Sequence, residues 1–440
     1  MKKGVVGVLI LLALVVLVSP AIVGRLAEKS MDENLNWAAQ ESGEVRVTSE
    51  NFKRGWFSSE GQHRIELQEG ELKAVVQALT GTSDTGSDLP VLVVNTKLDH
   101  GLFPVSSMSR EQGSLAPGLG SAVSTMRVEF GGGESFDIPG TIYSKVGLGG
   151  ELLSNYILES GSRQDGDSTA FWGSTDIKVE TNPKSGEASF NGTVGSLSVK
   201  DGDEVVSLKS LTFDGFQKPT EYGIAVGDVR LELEDLDLTV GATPVAGMRS
   251  MMVDASTVLD GDDVNADATI SLAMKGTPDF GETSVDITFE LAGADAELLG
   301  RIQQSLQDVR ASQDPMAVYD AIDADLLQLF AAGFEMNFEQ FNMTLPEGTV
   351  TSKMMFSFEE RDPADFAWTS LLMTTEATVD ISIPEALVEM LVEKQPDAAM
   401  AIGGGFLVKR GAAYEMNAEM KQGLLTVNGA PIPIPFGAVR

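Results

Sequence analysis

From about Ser42 onward the chain alternates apolar and polar residues with period two, and Gly, Asn and Asp interrupt the alternation at short intervals. Half-buried antiparallel strands joined by turns require this pattern, because successive side chains on a strand point to opposite faces. Val229-Arg230-Leu231-Glu232-Leu233-Glu234 and Val285-Asp286-Ile287-Thr288-Phe289-Glu290-Leu291 show it clearly, and Ala268 to Met274 and Thr378 to Ile383 repeat it. Such strands bury one side of a sheet and leave the other in water. No fixed longer period marks a solenoid.

Turn chemistry places two hairpins. Phe341 to Leu345 and Val350 to Phe358 flank Pro346-Glu347-Gly348; Tyr414 to Met420 and Leu424 to Val427 flank Gln422-Gly423, with Asn428-Gly429 beyond. Helical spacing appears only between about Ala294 and Lys394. Leu298, Leu299, Ile302, Leu306 and Val309 form one stripe, and Asp314-Pro315 opens a second with Val318, Ile322, Leu326, Leu329 and Phe330. Shorter helices are expected at Pro363 to Met373 and Pro384 to Lys394. All four are expected to pack on the sheet. Gly81 to Asp88, Ser106 to Gly120, Gly131 to Glu134 and Gly161 to Asp167 read as surface loops. Pro431-Ile432-Pro433-Ile434-Pro435 reads as an extended segment that cannot be a normal central strand.

The first 24 residues differ from all of this. Lys2 and Lys3 precede an uncharged run from Gly4 to Gly24, about long enough to cross a hydrocarbon core of ~30 Å as a helix, and the lysines favour a cytoplasmic N-terminus. A cleaved secretion signal is the alternative, with small residues at Ser19-Pro20-Ala21. An uncleaved anchor fits better, because Ala21-Ile22-Val23 continues the apolar run beyond Pro20. The expected organisation is thus an anchor at 1–24 and an exported body at 25–440, helix-containing at about 294–394. The fold class is mainly β, a β-rich α+β chain: a transmembrane helix, then a large, mostly antiparallel curved sheet with a helical insertion.

Composition narrows the chemistry. The net charge of −34 makes nucleic acid and anionic lipid headgroups poor general partners. Without cysteine there are no disulfides, thiolate metal sites or cysteine nucleophiles, and only His63 and His100 can supply an imidazole. No Gly-x-Ser-x-Gly elbow, phosphate loop, zinc helix or dinucleotide fingerprint is present. Asp99-His100 is the best catalytic candidate, yet neighbours on a strand face opposite ways, so Asp99 is poorly placed to orient His100. Both histidines read as structural. Asp201-Gly202-Asp203-Glu204 and Asp260-Gly261-Asp262-Asp263 depart from a calcium loop at Val205 and Val264 and read as solvated turns. Asn191-Gly192-Thr193 and Asn342-Met343-Thr344 match glycosylation acceptors only formally.

Three strings carry a resemblance. Arg54-Gly55-Trp56-Phe57-Ser58-Ser59-Glu60, His100-Gly101-Leu102-Phe103-Pro104 and Gly423-Leu424-Leu425-Thr426-Val427-Asn428-Gly429 follow the anchor in that order. In that order they resemble the YdgA-type family of bacterial proteins of unknown function, with Leu102 departing from the family's His-Gly-Pro element. The resemblance implies a single-pass inner-membrane protein with a β-rich periplasmic body open to self-association, and it transfers no catalytic residue. Gly55, Trp56, Phe57, Ser59, His100, Gly101, Asn428 and Gly429 are the motif residues it singles out, as structural or interaction positions. By their chemistry, Gly55 admits the two rings that follow it to a core or sheet edge, and Gly101 and Gly429 suit positive-φ turns.

The first functional expectation is a non-enzymatic envelope protein with a scaffolding or interaction role. The alternative is a periplasmic carrier whose sheet shelters a lipid or other apolar ligand, with Met354-Met355-Phe356 adapting to varied chains. A carboxylate hydrolase with His100 in support ranks last. Expected partners are the membrane through the N-terminal helix, a second copy or another envelope protein, and a lipid. No catalytic residue, cofactor or metal is assigned.

Overall fold

A computed structural model describes residues 45–433 except 55–57, 69–90, 101–119, 130–134, 277–280, 310–314, 396–397 and positions 167, 183 and 242. The expected anchor at 1–24 lies outside the described residues. The chain divides into two compact units, one reaching Lys218 and including Leu233–Val245, the other comprising Pro219–Glu232 and everything from Ala246.

Unit one is built from β1 (Val45–Arg54), β2 (Ser58–Leu67), β3 (Val91–His100), β4 (Gly120–Glu129), β5 (Ser135–Val146) and β6 (Leu152–Leu158), followed by β7 (Gly161–Asp165), β8 (Ser168–Trp172), β9 (Thr175–Thr181), β10 (Ala188–Val194), β11 (Leu197–Asp201) and β12 (Glu204–Pro219). Antiparallel pairing runs β1-β2-β3-β4-β5-β6-β9-β10-β12. The other end of β12 pairs with β11, which continues through β8 to β7. One face of the main sheet carries the core: Met126, Val128, Phe136, Ile138, Tyr156, Ile177, Val179, Val194 and Phe213 pack together. Each such side chain, fully buried, contributes roughly 1.5–3 kcal/mol.

Of Gly161 to Asp167, expected as a loop, Gly161–Asp165 forms strand β7, and Asp167 lies outside the described residues. A Cβ at Gly161 would sit 2.8 Å from the Trp172 ring, so the glycine lets that indole lie across its strand neighbour. Composition suggested a turn; cross-strand packing makes a strand. Tyr156 donates to the Pro139 carbonyl at 3.1 Å, and burial pushes its phenol pKa up to about 12.

Strand β13 (Ala225–Val240) belongs to unit two up to Glu232, and β14 (Thr243–Asp260) from Ala246. Then come β15 (Asp263–Met274), β16 (Thr283–Asp295), β17 (Phe334–Leu345), β18 (Gly348–Phe358), β19 (Thr375–Pro384), β20 (Val408–Arg410), β21 (Ala413–Lys421), β22 (Leu424–Val427) and β23 (Ala430–Ile432). Pairing is antiparallel from β14 in order to β19, then β21, β22 and β23, with β20 also on β21. Both expected hairpins form, Leu345 pairing with Gly348 and Lys421 with Leu424. Pro431 lies in β23, which pairs only with β22 among the described residues, as a missing N–H donor demands.

Three of the four expected helices form as single helices where expected, while Pro363 to Met373 is divided by extended backbone at Phe366 and Ala367. Helix α1 (Ala296–Val309) begins where the Asp295 carboxylate accepts from the Leu298 N–H at 2.8 Å, and α2 (Pro315–Ala332) begins on a proline. Both are inserted between the paired strands β16 and β17. Leu298 and Ile302 of α1 meet Leu329 of α2 and Phe334 and Phe358 of the sheet, and the Phe330 ring lies 4.8 Å from Phe358 and 5.8 Å from Trp368. A short 3-10 turn, Pro363–Asp365, precedes α3 (Trp368–Thr374), and α4 (Glu385–Lys394) buries Leu387 and Val388. Helix α5 (Ala398–Gly403) was not expected; its short Ala-rich run has no polar phase from which to read a period.

Candidate functional site

The register of unit two gathers side chains that are far apart in sequence. Val253 faces Ile270, Ile270 faces Ile287, Ile287 faces Phe341, Phe341 faces Ser352, Ser352 faces Ile381 and Ile381 faces Met416. At an interstrand spacing of ~4.8 Å this row is roughly 30 Å long. Beside it runs a second, from Ala255 through Ala268, Phe289, Phe338, Met354 and Val379 to Ala418. The Phe289 and Phe338 rings stand 5.0 Å apart.

Strand alternation puts both rows on one face. The helices seal the end of that face where Leu291, Met336 and Phe356 pack against the buried cluster. Further along, Val253, Leu272, Ile287, Phe341, Met354, Val379 and Met416 are only half-buried, and Ile270 and Met274 are 36% and 37% exposed. In a water-filled environment so long an apolar surface is costly to leave open. Ser352 interrupts it: its hydroxyl is buried and makes no hydrogen bond with any described residue.

The opposite face is polar. A trough of about 1200 Å³ crosses β16 to β21 there, lined by Asn337, Glu339, Gln340, Lys353, Asp380 and Glu415 among others. The string Met354-Met355-Phe356, read in sequence as one adaptable surface, is split by the pleat: Met354 and Phe356 lie on the apolar side and Met355, 43% exposed, on the other, while Met354, with Ser352, Ile381 and Met416, also borders the trough.

The motif residues separate between the units. Ser58 faces Asp99 and Ser59 faces Leu98, so the first two motifs meet at one end of β2 and β3. Ser59 is buried there, and His100 closes β3 by pairing with Gly120. Gly55, Trp56, Phe57, Gly101 and the His100 side chain lie outside the described residues. His63 is 2% exposed, with Nδ1 3.0 Å from the Ser49 hydroxyl. So deep a Ser–His contact admits no substrate, and it sits among other cross-strand hydroxyl pairs, Thr96 with Ser124 and Ser144 with Ser154, each at 2.8 Å.

In unit two, Asn428 and Gly429 have φ of 52° and 79° and turn β22 into β23. The Asn428 amide donates to the carbonyls of Gly405 and Phe406 at 2.9 and 3.0 Å. This motif asparagine is therefore a structural latch. The acidic clusters are hairpin turns, with Asp201 facing Glu204 and Asp260 facing Asp263. Tyr222 donates to the Asp262 carboxylate at 2.5 Å, which with partial desolvation lifts its pKa to about 12.

A family model described as bacterial protein of unknown function, DUF945, matches residues 1–435. The chain belongs to the DUF945 family. Among curated proteins, Protein YdgA of Escherichia coli (strain K12) is 24% identical over 250 residues, covering 54% of this chain and 47% of the relative. The chain thus spans about half the length of that relative. No solved structure matches. The structure of this DUF945 protein also shows an apolar face and a polar trough, both of unit two, and Asn428 of the closing motif is among the residues that line the trough.

Proposed function

We propose that this DUF945 protein is a non-enzymatic, N-terminally anchored protein of the bacterial cell envelope whose second unit shelters an apolar ligand of the acyl-chain class. The apolar run Gly4 to Gly24 behind Lys2 and Lys3 supports the anchor and its orientation. The half-open row from Val253 to Met416 supports the ligand. A chain laid along it removes apolar area from water at roughly 25 cal/mol per Å². Methionines at 251, 336, 343, 354, 416 and 420 share that side and conform readily to chains of different shape.

The test is native mass spectrometry of the full chain, extracted with its membrane and released from a mild detergent. The reading expects a co-released lipid or fatty acid whose occupancy falls when Ile287→Asp places a charge in the row. A protein that is always empty, with a reproducible crosslinked envelope partner, would instead assign the scaffolding role.

A further inference from the structure

We propose that the polar trough of unit two is a second binding site, for a neutral, hydroxyl-rich chain, that is, an oligosaccharide. Its polar lining lies on the side of the sheet opposite the apolar rows, with Ser352, Met354, Ile381 and Met416 of those rows also bordering it, and it does not depend on an acyl ligand being there.

Four groups carry the inference. The half-buried amides of Asn337, Gln340 and Asn342 and the Lys353 ammonium all line the trough, and none makes a hydrogen bond or ion pair with any described residue. Each amide offers a donor and an acceptor; a sugar hydroxyl also offers both, so a polyol satisfies the two ends of every amide at once. The register shift between Phe338 and Phe341 inserts Glu339 and Gln340 at this point, and a bulge of this kind re-aims side chains. Met355 adds exposed apolar surface in the trough, suited to the C–H face of a pyranose ring.

Other ligand classes fit less well. Arg410 is held by Glu415 at 3.5 Å, and Asp380 accepts from the Asn417 amide at 2.6 Å. Lys353 and Arg410 are outnumbered in the lining by Glu339, Asp380 and Glu415, a net charge of −1, and the chain as a whole carries −34, so a polyanion finds no net attraction. An extended peptide binds a sheet by adding to a free edge, and the strands beneath the trough from β16 to β19 are paired on both sides.

The experiment uses the full chain in detergent micelles, screened on an array of neutral and N-acetylated oligosaccharides and titrated with N-acetylchitohexaose and maltohexaose. At least one neutral oligosaccharide is expected to bind, with Kd weakened about tenfold in Asn337→Ala and again in Lys353→Ala, the loss of one or two hydrogen bonds each. Ile287→Asp on the far face should leave that Kd unchanged, so failure of the acyl-chain reading would not touch this one. Both trough variants should keep the parent urea midpoint. Silence of the whole array at millimolar sugar, binding that survives both variants, or competition by polyphosphate rather than by sugar would each overturn the proposal.

Discussion

Asn417 and Asn428 hold each other at the open end of the β21–β22 hairpin: the Asn428 N–H donates to the Asn417 carbonyl at 2.7 Å, and the Asn417 N–H donates to the Asn428 side-chain oxygen at 3.0 Å. With its amide nitrogen on the carbonyls of Gly405 and Phe406, Asn428 ties the segment before β20 to the closing hairpin. Asn428→Gly keeps the left-handed backbone and loses only the latch, at a cost of about 1–2 kcal/mol in urea unfolding. Asn428→Ala should cost ~1 kcal/mol more, for the strained φ. Equal midpoints for all three proteins would show that the latch carries no stability.

Gly300 opposes an ordinary helix preference. Replacing a helical glycine by alanine normally gains ~1 kcal/mol. Here the new methyl would strike the backbone carbonyl of Tyr222, which has no flexible end to swing away. Overpacking of about 1–3 kcal/mol should win, so Gly300→Ala lowers Tm. A raised Tm would contradict the close approach of α1 to that carbonyl.

Tyr156 gives unit one an alkaline signature. Its folded pKa of about 12 lies above the ordinary 10.0, so the stability it contributes is complete below pH 10 and is lost as pH rises toward 12. Tyr156→Phe should remove that part of the alkaline slope and cost ~1 kcal/mol at neutral pH for the hydrogen bond to Pro139. Phenolate absorbance in the folded variant should show one late-titrating tyrosine fewer. An unchanged titration would place Tyr156 in water.

Ser352 makes the opposite prediction. A buried hydroxyl without a partner costs free energy, so Ser352→Ala should be neutral or stabilising by up to ~1 kcal/mol. A loss above that range in urea unfolding would mean that the hydroxyl has a partner.

Local signals identified most elements because their causes are local. Asp295 and Pro315 start helices by capping and by φ, and Pro346-Glu347 and Gln422-Gly423 are turn chemistry within a few residues. Strand β7 was missed because its support is non-local: Gly161 is explained only by the Trp172 ring on the next strand. The same limit hid both surfaces of unit two. Ile287 is visibly apolar and Asp286 visibly polar, but that Ile287 lines up with Val253 and Met416 depends on register across the whole sheet. The bulge after Phe338 shifts that register again, and no periodicity within one strand announces it.

Adjacent positions 286 and 287 test the central claim most directly. The chain has no cysteine, so a single one at either site takes a polarity-sensitive fluorophore cleanly, and the pleat sends the two labels to opposite faces. Adding oleate should shift the Ile287→Cys label to the blue, with brominated fatty acid quenching it, while the Asp286→Cys label stays unchanged. Equal responses at both positions, or none at 287, would contradict an apolar ligand on the row from Val253 to Met416.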